Sequence, residues 1–253
     1  MTKRALVRRP SPRLADGLVS HIARRAVDVE LADAQWRSYV VALAEAGWEV
    51  VEVPPADDCP DSVFVEDPVV VFRDLAVLAR PGAAVRRPEV AGVETAVRAA
   101  GYRIARIGEP GTLDGGDVLK IGSTVYVGRG GRTNDDGIRQ LAGRLTPLGA
   151  TVVPVPVTKV LHLKSAVTAL PDGTVIGYPP LVDDPALFAD FLPVPEEAGA
   201  HVVLLGGDRV LMAASAPRTA ALLETKGLTP VQVDIGEFEK LEGCVTCLSV
   251  RLR

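Results

Sequence analysis

One pattern recurs along this chain, and it dictates how the chain can fold: a helix-patterned stretch runs into glycine and then into a β-branched run. It appears as LAEAGWEVVEVPP at 43–55, VRAAGYRIARIGEP at 97–110, LTPLGATVVPVPV at 145–157 and LETKGLTPVQVDI at 223–235. The marking glycines, Gly47, Gly101, Gly149 and Gly227, lie 54, 48 and 78 residues apart. One more copy fits the widest gap, and DDPALFADFLPVP at 183–195 fills it as a degenerate member. Helical periodicity supports the assignment: Trp36, Val40 and Leu43 in the first copy, Val90, Val93, Val97 and Ala100 in the second, and Ile138, Leu141, Leu145 and Leu148 in the third. Glycine after the last periodic residue is the expected helix stop.

Hairpin patterns precede most of these helices, with turns at Arg73-Asp74, Gly122-Ser123, Asp172-Gly173 and Gly206-Gly207-Asp208. The repeating unit is therefore strand, turn, strand, helix, strand, with a period of about 50 residues, and five copies result if the irregular N-terminal segment counts as one. Such units bury their apolar faces only against neighbours, in an open solenoid or a closed ring. Closure is favoured because the final run, CVTCLSVRLR, has no helix after it and can return to pair with ALVRR at 5–9. The expectation is a single α/β domain, residues 1–253, of five pseudo-repeats around a central axis, with the third strand of each unit lining that axis.

Composition narrows the function. A net charge of −4 and a pI near 5.5 supply no basic stripe for nucleic acid. The basic start, MTKRALVRRPSPRL, leads into no apolar signal-peptide core, and no segment is apolar over the roughly 18 residues that a membrane span needs. Three cysteines, Cys59, Cys244 and Cys247, make an odd count that reads as reduced thiols in the cytoplasm.

The unusual polar residues fall just after the third strands. ADDCPDSVFVED holds Asp61, Glu66 and Asp67; GTLDGGDVL holds Asp114 and Asp117; TKVLHLKS holds His162; GEFEKLEGCVTCLS holds Cys247. Four separated loops would thus bring carboxylates, an imidazole and a thiol to one mouth, as an active site requires. A CxxC also suggests a redox or zinc site. Three scattered histidines do not complete a zinc ligand set, so no metal or other cofactor is expected. In a β pattern Cys244 and Cys247 would point to opposite faces, leaving one of the two as a small packing residue.

PDSVFVED (60–67), the RPG and RR segment (80–87), TLDGGDVL (112–119), GRTN (131–134), LHLKS (161–165) and EGCVTCLS (242–249), in this order, resemble the dimethylarginine dimethylaminohydrolases, members of the guanidine-modifying superfamily that includes the arginine deiminases. The similarity runs from Leu18 to the C-terminus. It implies a five-bladed α/β propeller of ββαβ units and hydrolysis of an N-methylated arginine to citrulline and methylamine or dimethylamine. It also implies Cys247 as nucleophile, His162 as proton donor and acceptor, and Asp114 as the residue that orients the imidazole. Some relatives carry Glu there, which leaves the reach of the shorter Asp114 open. Glu66 and Asp67 would hold the guanidinium, Arg86 and Arg132 the α-carboxylate, and Asp61 with the carbonyls of Leu18 and Leu241 the α-ammonium. Arg87 competes with Arg86 on spacing alone.

These assignments suit the chemistry. A guanidinium carbon is a poor electrophile, so a sulfur nucleophile divides the displacement into two easier steps. The departing alkylamine, as basic as lysine, needs a proton as it leaves. Carboxylates crowded near Cys247 should raise its pKa above the ordinary ~8.5, and a bound cation should lower it again. The competing readings are an arginine deiminase, whose inserted helical domain this length cannot hold, and a non-catalytic ligand-binding propeller or a zinc- or redox-responsive protein. The expected partner is a small-molecule methylarginine, taken up by a monomer or homodimer with neither nucleic acid nor membrane.

Overall fold

The two ends of the chain share one sheet in the computed structural model, which describes residues 3–252. Strand β1 (Arg4–Val7) crosses through α1 (Val29–Glu45) to the parallel β2 (Glu49–Glu52). On its other edge β1 receives the final strand antiparallel, with Arg4 opposite Leu252 and Leu6 opposite Val250. The second blade is β3 (Val69–Phe72), β4 (Leu75–Leu78), α2 (Val90–Ala99) and β5 (Arg103–Arg106). The third is β6 (Val118–Ile121), β7 (Thr124–Arg129), α3 (Asp135–Leu145) and β8 (Thr151–Pro156). A single helical turn, α4 (Leu163–Ala166), leads into the fourth: β9 (Val167–Ala169), β10 (Val175–Gly177) and β11 (Phe191–Pro193). The fifth is β12 (Val202–Gly206), β13 (Arg209–Ala213), α5 (Pro217–Thr225) and β14 (Thr229–Val233), after which α6 (Gly236–Glu239) and β15 (Val250–Leu252) complete the first blade.

Among the described residues the strands form five three-stranded sheets, each with an antiparallel first pair and a parallel second pair. Apolar clusters sit between successive blades. Leu6 and Val53 pack on Val69 and Val71, Val70 and Val77 on Val118 and Val127, and Leu119 and Val155 on Val167 and Val175. Leu170 and Ile176 pack on Val202 and Val210, and Val203 and Leu205 on Ala5 and Trp36. Every blade is therefore covered by two neighbours, and the fold is a closed five-bladed α/β propeller.

Two expectations need correction. The axis is lined by the first strand of each unit, not the third: a central cavity of about 530 Å³ is bounded by Val69–Phe72, Val118–Lys120, Thr168–Ala169, Val202–Leu204 and Val250–Arg251. β3 is buried at all four positions, whereas β2 and β5 expose both charged ends. An uninterrupted apolar run such as VVVF is the signature of a strand buried on both faces, while EVVE and RIAR belong at an edge. The fourth unit has no α-helix in its crossover, only 3₁₀ turns at Pro179–Leu181 and Pro185–Leu187. Prolines at 179, 180 and 185 withhold the amide hydrogens an α-helix would need there.

Helix α1 also anchors the C-terminal turns. The fully buried Tyr39 hydroxyl donates to the carbonyl of Val245 (2.9 Å) and contacts Ser249 Oγ (2.7 Å), fixing the segment that carries Cys247. Tyr39→Phe strands these partners in the interior and is expected to cost about 1–2 kcal/mol, read as a lower urea midpoint at unchanged m-value.

Candidate active site

A small cavity of about 20 Å³ gathers side chains from loops that lead into the first strands: Asp61, Phe64 and Asp67 before β3, His162 before β9, and Leu241, Glu242, Gly243 and Cys247 before β15. Leu18, Arg86, Arg132 and Leu161 complete it. Eight of the ten residues expected to form the site, Leu18, Asp61, Asp67, Arg86, Arg132, His162, Leu241 and Cys247, border this cavity, and the Asp114 side chain reaches it through His162. Glu66 turns away.

The imidazole is built from below. Asp117 is buried, and it accepts the Leu163 N–H (2.9 Å) and the Thr133 hydroxyl (2.6 Å), which holds the start of α4 and with it His162. Burial pushes the Asp117 carboxyl up to about 6. His162 Nε2 lies 3.1 Å from Asp114 Oδ2, and Nδ1 lies 3.9 Å from Asp67 Oδ1. Asp114, though a carbon shorter than Glu, reaches the ring because its loop is drawn in. The Asp114 carboxylate also accepts the Gly82 N–H (2.8 Å) and an Arg132 Nη1 hydrogen (3.4 Å). Close approach explains the paired glycines of LDGGD. A Cβ on Gly115 would lie 2.1 Å from the Glu66 carbonyl oxygen, and one on Gly116 would lie 2.6 Å from His162 Nδ1.

Burial opposes charge on His162, but Asp67, Asp114 and Asp117 outweigh it and raise its pKa to about 9, so the ring is cationic at neutral pH. Burial likewise opposes charge on Asp67. His162, Arg86 and the Gly116 N–H prevail there, and its carboxyl is held at about 2. Asp67, Asp114 and His162 are also, among the described residues, a group whose ligand atoms fall within 4.8 Å of one another. With the ring protonated and two arginines alongside, that group already has its positive charge.

Arg86 is buried and heavily committed, giving Nε and Nη2 to Glu89 (3.0 and 2.8 Å), Nη1 to Asp67 (2.5 Å), and Nη2 also to the carbonyls of Asp61 and Phe64. It lines the cavity, whereas Arg87 donates to the Pro81 carbonyl outside it. Arg132 gives one Nη1 hydrogen to Asp114 and keeps donors for a ligand. Asp61 accepts the Leu18 N–H on both oxygens (3.0 and 3.2 Å). Glu66 pairs with Lys164 (2.5 Å) and Arg251 (3.1 Å) on the side of the axial cavity, so of the two adjacent carboxylates only Asp67 borders the small cavity. The lysine of LHLKS was the overlooked signal.

The cysteines differ most from expectation. The 244–247 segment is a turn, closed by a Cys247 N–H to Cys244 carbonyl bond of 3.0 Å, and the sulfurs face each other at 3.4 Å. An i,i+3 pair diverges in a strand and converges in a turn. The Cys244 contact, burial and the charges of Glu66 and Asp67 all push the Cys247 thiol well above its ordinary value. The expected direction therefore has a different leading cause, because the carboxylates are largely matched by Arg86, Lys164, Arg251 and His162.

Comparison with known proteins decides the family. Over 252 residues the chain is 71% identical to the N(G),N(G)-dimethylarginine dimethylaminohydrolase of Streptomyces coelicolor, covering 100% of this chain and 98% of that protein. The chain belongs to the dimethylarginine dimethylaminohydrolase family. No family model matches it. The Pseudomonas aeruginosa family member, solved as a cysteine-to-serine mutant complexed with citrulline, superposes with a TM-score of 0.93 at 34% identity, covering 100% of both chains. A second family structure, a histidine-to-glycine mutant in adduct with S-methyl-L-thiocitrulline, also gives 0.93, at 33% identity and full coverage of both chains.

The imidazole network has a stability signature. An unfolded His titrates near ~6.5 and His162 near about 9, so its contribution is fully present below the lower value and is lost as pH rises through the upper one. Asp114→Asn should lower the His162 pKa, seen in ring NMR signals, and should flatten the decline in unfolding free energy over that window.

Proposed function

We propose that this chain hydrolyses N-ω-methylated arginine to citrulline and methylamine or dimethylamine through a cysteine-bound S-alkylthiouronium intermediate. The observation that carries this reading is the convergence of a buried thiol, a cationic imidazole and the anionic Asp67 on one cavity. The family membership and the relatives solved with citrulline and with a thiocitrulline adduct support it.

The roles follow from charge and reach. Asp67 receives guanidinium hydrogens through charge-assisted bonds. Arg132 meets the substrate carboxylate, where a bidentate fork suits, and Arg86 serves chiefly to hold Asp67. Asp61 and the carbonyls of Leu18 and Leu241 surround the α-ammonium. With the guanidinium bound beside it, Cys247 loses its proton to solvent and the thiolate attacks the guanidinium carbon, while the protonated His162 gives its proton to the nitrogen that departs as the amine. Neutral His162 then takes a proton from water, which adds to the thiouronium carbon, and the C–S bond breaks to yield citrulline and the thiol. Asp114 keeps the ring oriented throughout. A cavity of about 20 Å³ admits one water-sized molecule, so substrate enters only after the 13–25 segment moves. Glu242 holds that segment through the N–H groups of Ser20 (2.8 Å) and His21 (2.5 Å). The three cysteines are unpaired and buried, as suits a reducing compartment such as the cytoplasm.

Citrulline release from dimethylarginine should be lost in Cys247→Ser, and kcat/KM on dimethylarginine should exceed that on arginine. A variant that keeps its turnover would overturn the covalent route. Activity should fall on the alkaline side as His162 deprotonates near pH 9. Alkylation of Cys247 by iodoacetamide should be slow at neutral pH and should shift to lower pH when an amidinium ligand is bound; superimposable profiles would refute the resting thiol.

A further inference from the structure

Cys244 has no part in the chemistry above, yet its sulfur lies nearer the nucleophile than any van der Waals packing requires. The two sulfurs are 3.4 Å apart, against about 2.05 Å in a disulfide, so closure needs a movement of about 1.4 Å shared between two side chains. The backbone already permits it. The bond between the Cys247 N–H and the Cys244 carbonyl defines a β-turn, in which the first and fourth Cα atoms are within about 7 Å, overlapping the ~4.4–6.8 Å range of disulfides.

From this we infer that Cys244 is a resolving thiol, and that a peroxide converts the Cys244–Cys247 pair into a reversible intrasubunit disulfide that shuts off the nucleophile. The surroundings favour the second thiol as the attacking partner. Cys244 contacts Thr246 Oγ1 at 3.2 Å and the Lys164 carbonyl at 4.0 Å. The Cys247 contact and, after it, His201 draw its pKa down against the effect of burial, whereas Cys247 is held up. The cavity bordering Cys247 admits a molecule about the size of water, so a small peroxide needs less opening of the site to reach the sulfur than a larger oxidant does.

The steps balance. Cys247 first gives up its thiol proton, and the small fraction present as thiolate attacks one peroxide oxygen; the O–O bond breaks, and sulfenic acid and hydroxide result. The Cys244 thiolate then displaces hydroxide from the sulfenic sulfur, forming the S–S bond; with the thiol protons, two water molecules leave per peroxide consumed. Two thiols have been oxidised and one peroxide reduced, and a dithiol such as dithiothreitol reverses the change by exchange. Without Cys244 the sulfenic acid is exposed to a second peroxide and proceeds to sulfinic acid, which dithiothreitol does not reduce.

The test oxidises the purified full chain with hydrogen peroxide and reads intact mass, tryptic peptides and free thiols, none of which needs turnover, alongside citrulline formation. Expected for the natural sequence is a mass loss of about 2 Da, free thiols falling from three to one with Cys59 retained, a linked 244–247 peptide, and activity recovered with dithiothreitol. Cys244→Ser and Cys244→Ala, each scored against its own untreated rate, should gain oxygen at Cys247 and stay inactive. Sulfinic acid at Cys247 of the natural sequence, with Cys244 still free, would overturn the inference even if either variant failed to fold. Failure of the hydrolase reading would appear separately, as absent citrulline before any oxidant is added.

Discussion

The antiparallel contact between Arg4–Val7 and Val250–Leu252 carries more than the few hydrogen bonds it contains, because it converts a row of stacked units into a ring. Without it the first and fifth blades would each leave an apolar face in water, and the cluster joining Val203 and Leu205 to Ala5 and Trp36 would be open. Closure also fixes the pocket. Cys247 lies only a few residues before β15, and its carbonyl accepts the Glu66 N–H at 3.2 Å, so the nucleophile loop is registered against the first acidic loop by the bonds that end the ring.

Charge in the buried region is arranged by alternation. Glu89 faces Arg86, Arg86 faces Asp67, Asp67 and Asp114 face His162, and Asp114 also meets Arg132. Glu89, Asp67 and Asp114 each have a cation within reach, which limits the desolvation cost that an unpaired charge would incur. The same arrangement suits the proposed reaction. A ring flanked by carboxylates holds a proton at neutral pH and can deliver it to a basic leaving amine. Glu66, matched by Lys164 and Arg251, belongs to the boundary between this pocket and the axial cavity.

Much of this was legible in the residues alone. Repeat spacing, turn positions and the returning C-terminal strand emerged from periodicity and glycine placement, and the loops rich in Asp, His and Cys marked where the chemistry lies. What periodicity could not supply was direction. VVVF and RIAR both read as strands, and only the packing of neighbouring blades put the first on the axis and the second at an edge. Pro179, Pro180 and Pro185 were visible as helix breakers, yet the repeat pattern masked their effect on the fourth unit.

The amino-acid order by itself determined the five-fold repeat, the pairing of the termini and which loops carry the Asp, His and Cys side chains, since these depend on local spacing and on residue chemistry. Tertiary structure alone decided which partner each charge took and which way each sulfur faced. Arg86 was turned inward onto Glu89 and Asp67, Glu66 was drawn to Lys164, and Cys244 was folded back onto Cys247. Those outcomes depend on distances of a few ångströms between loops far apart in sequence, and such distances exist only once the ring has closed.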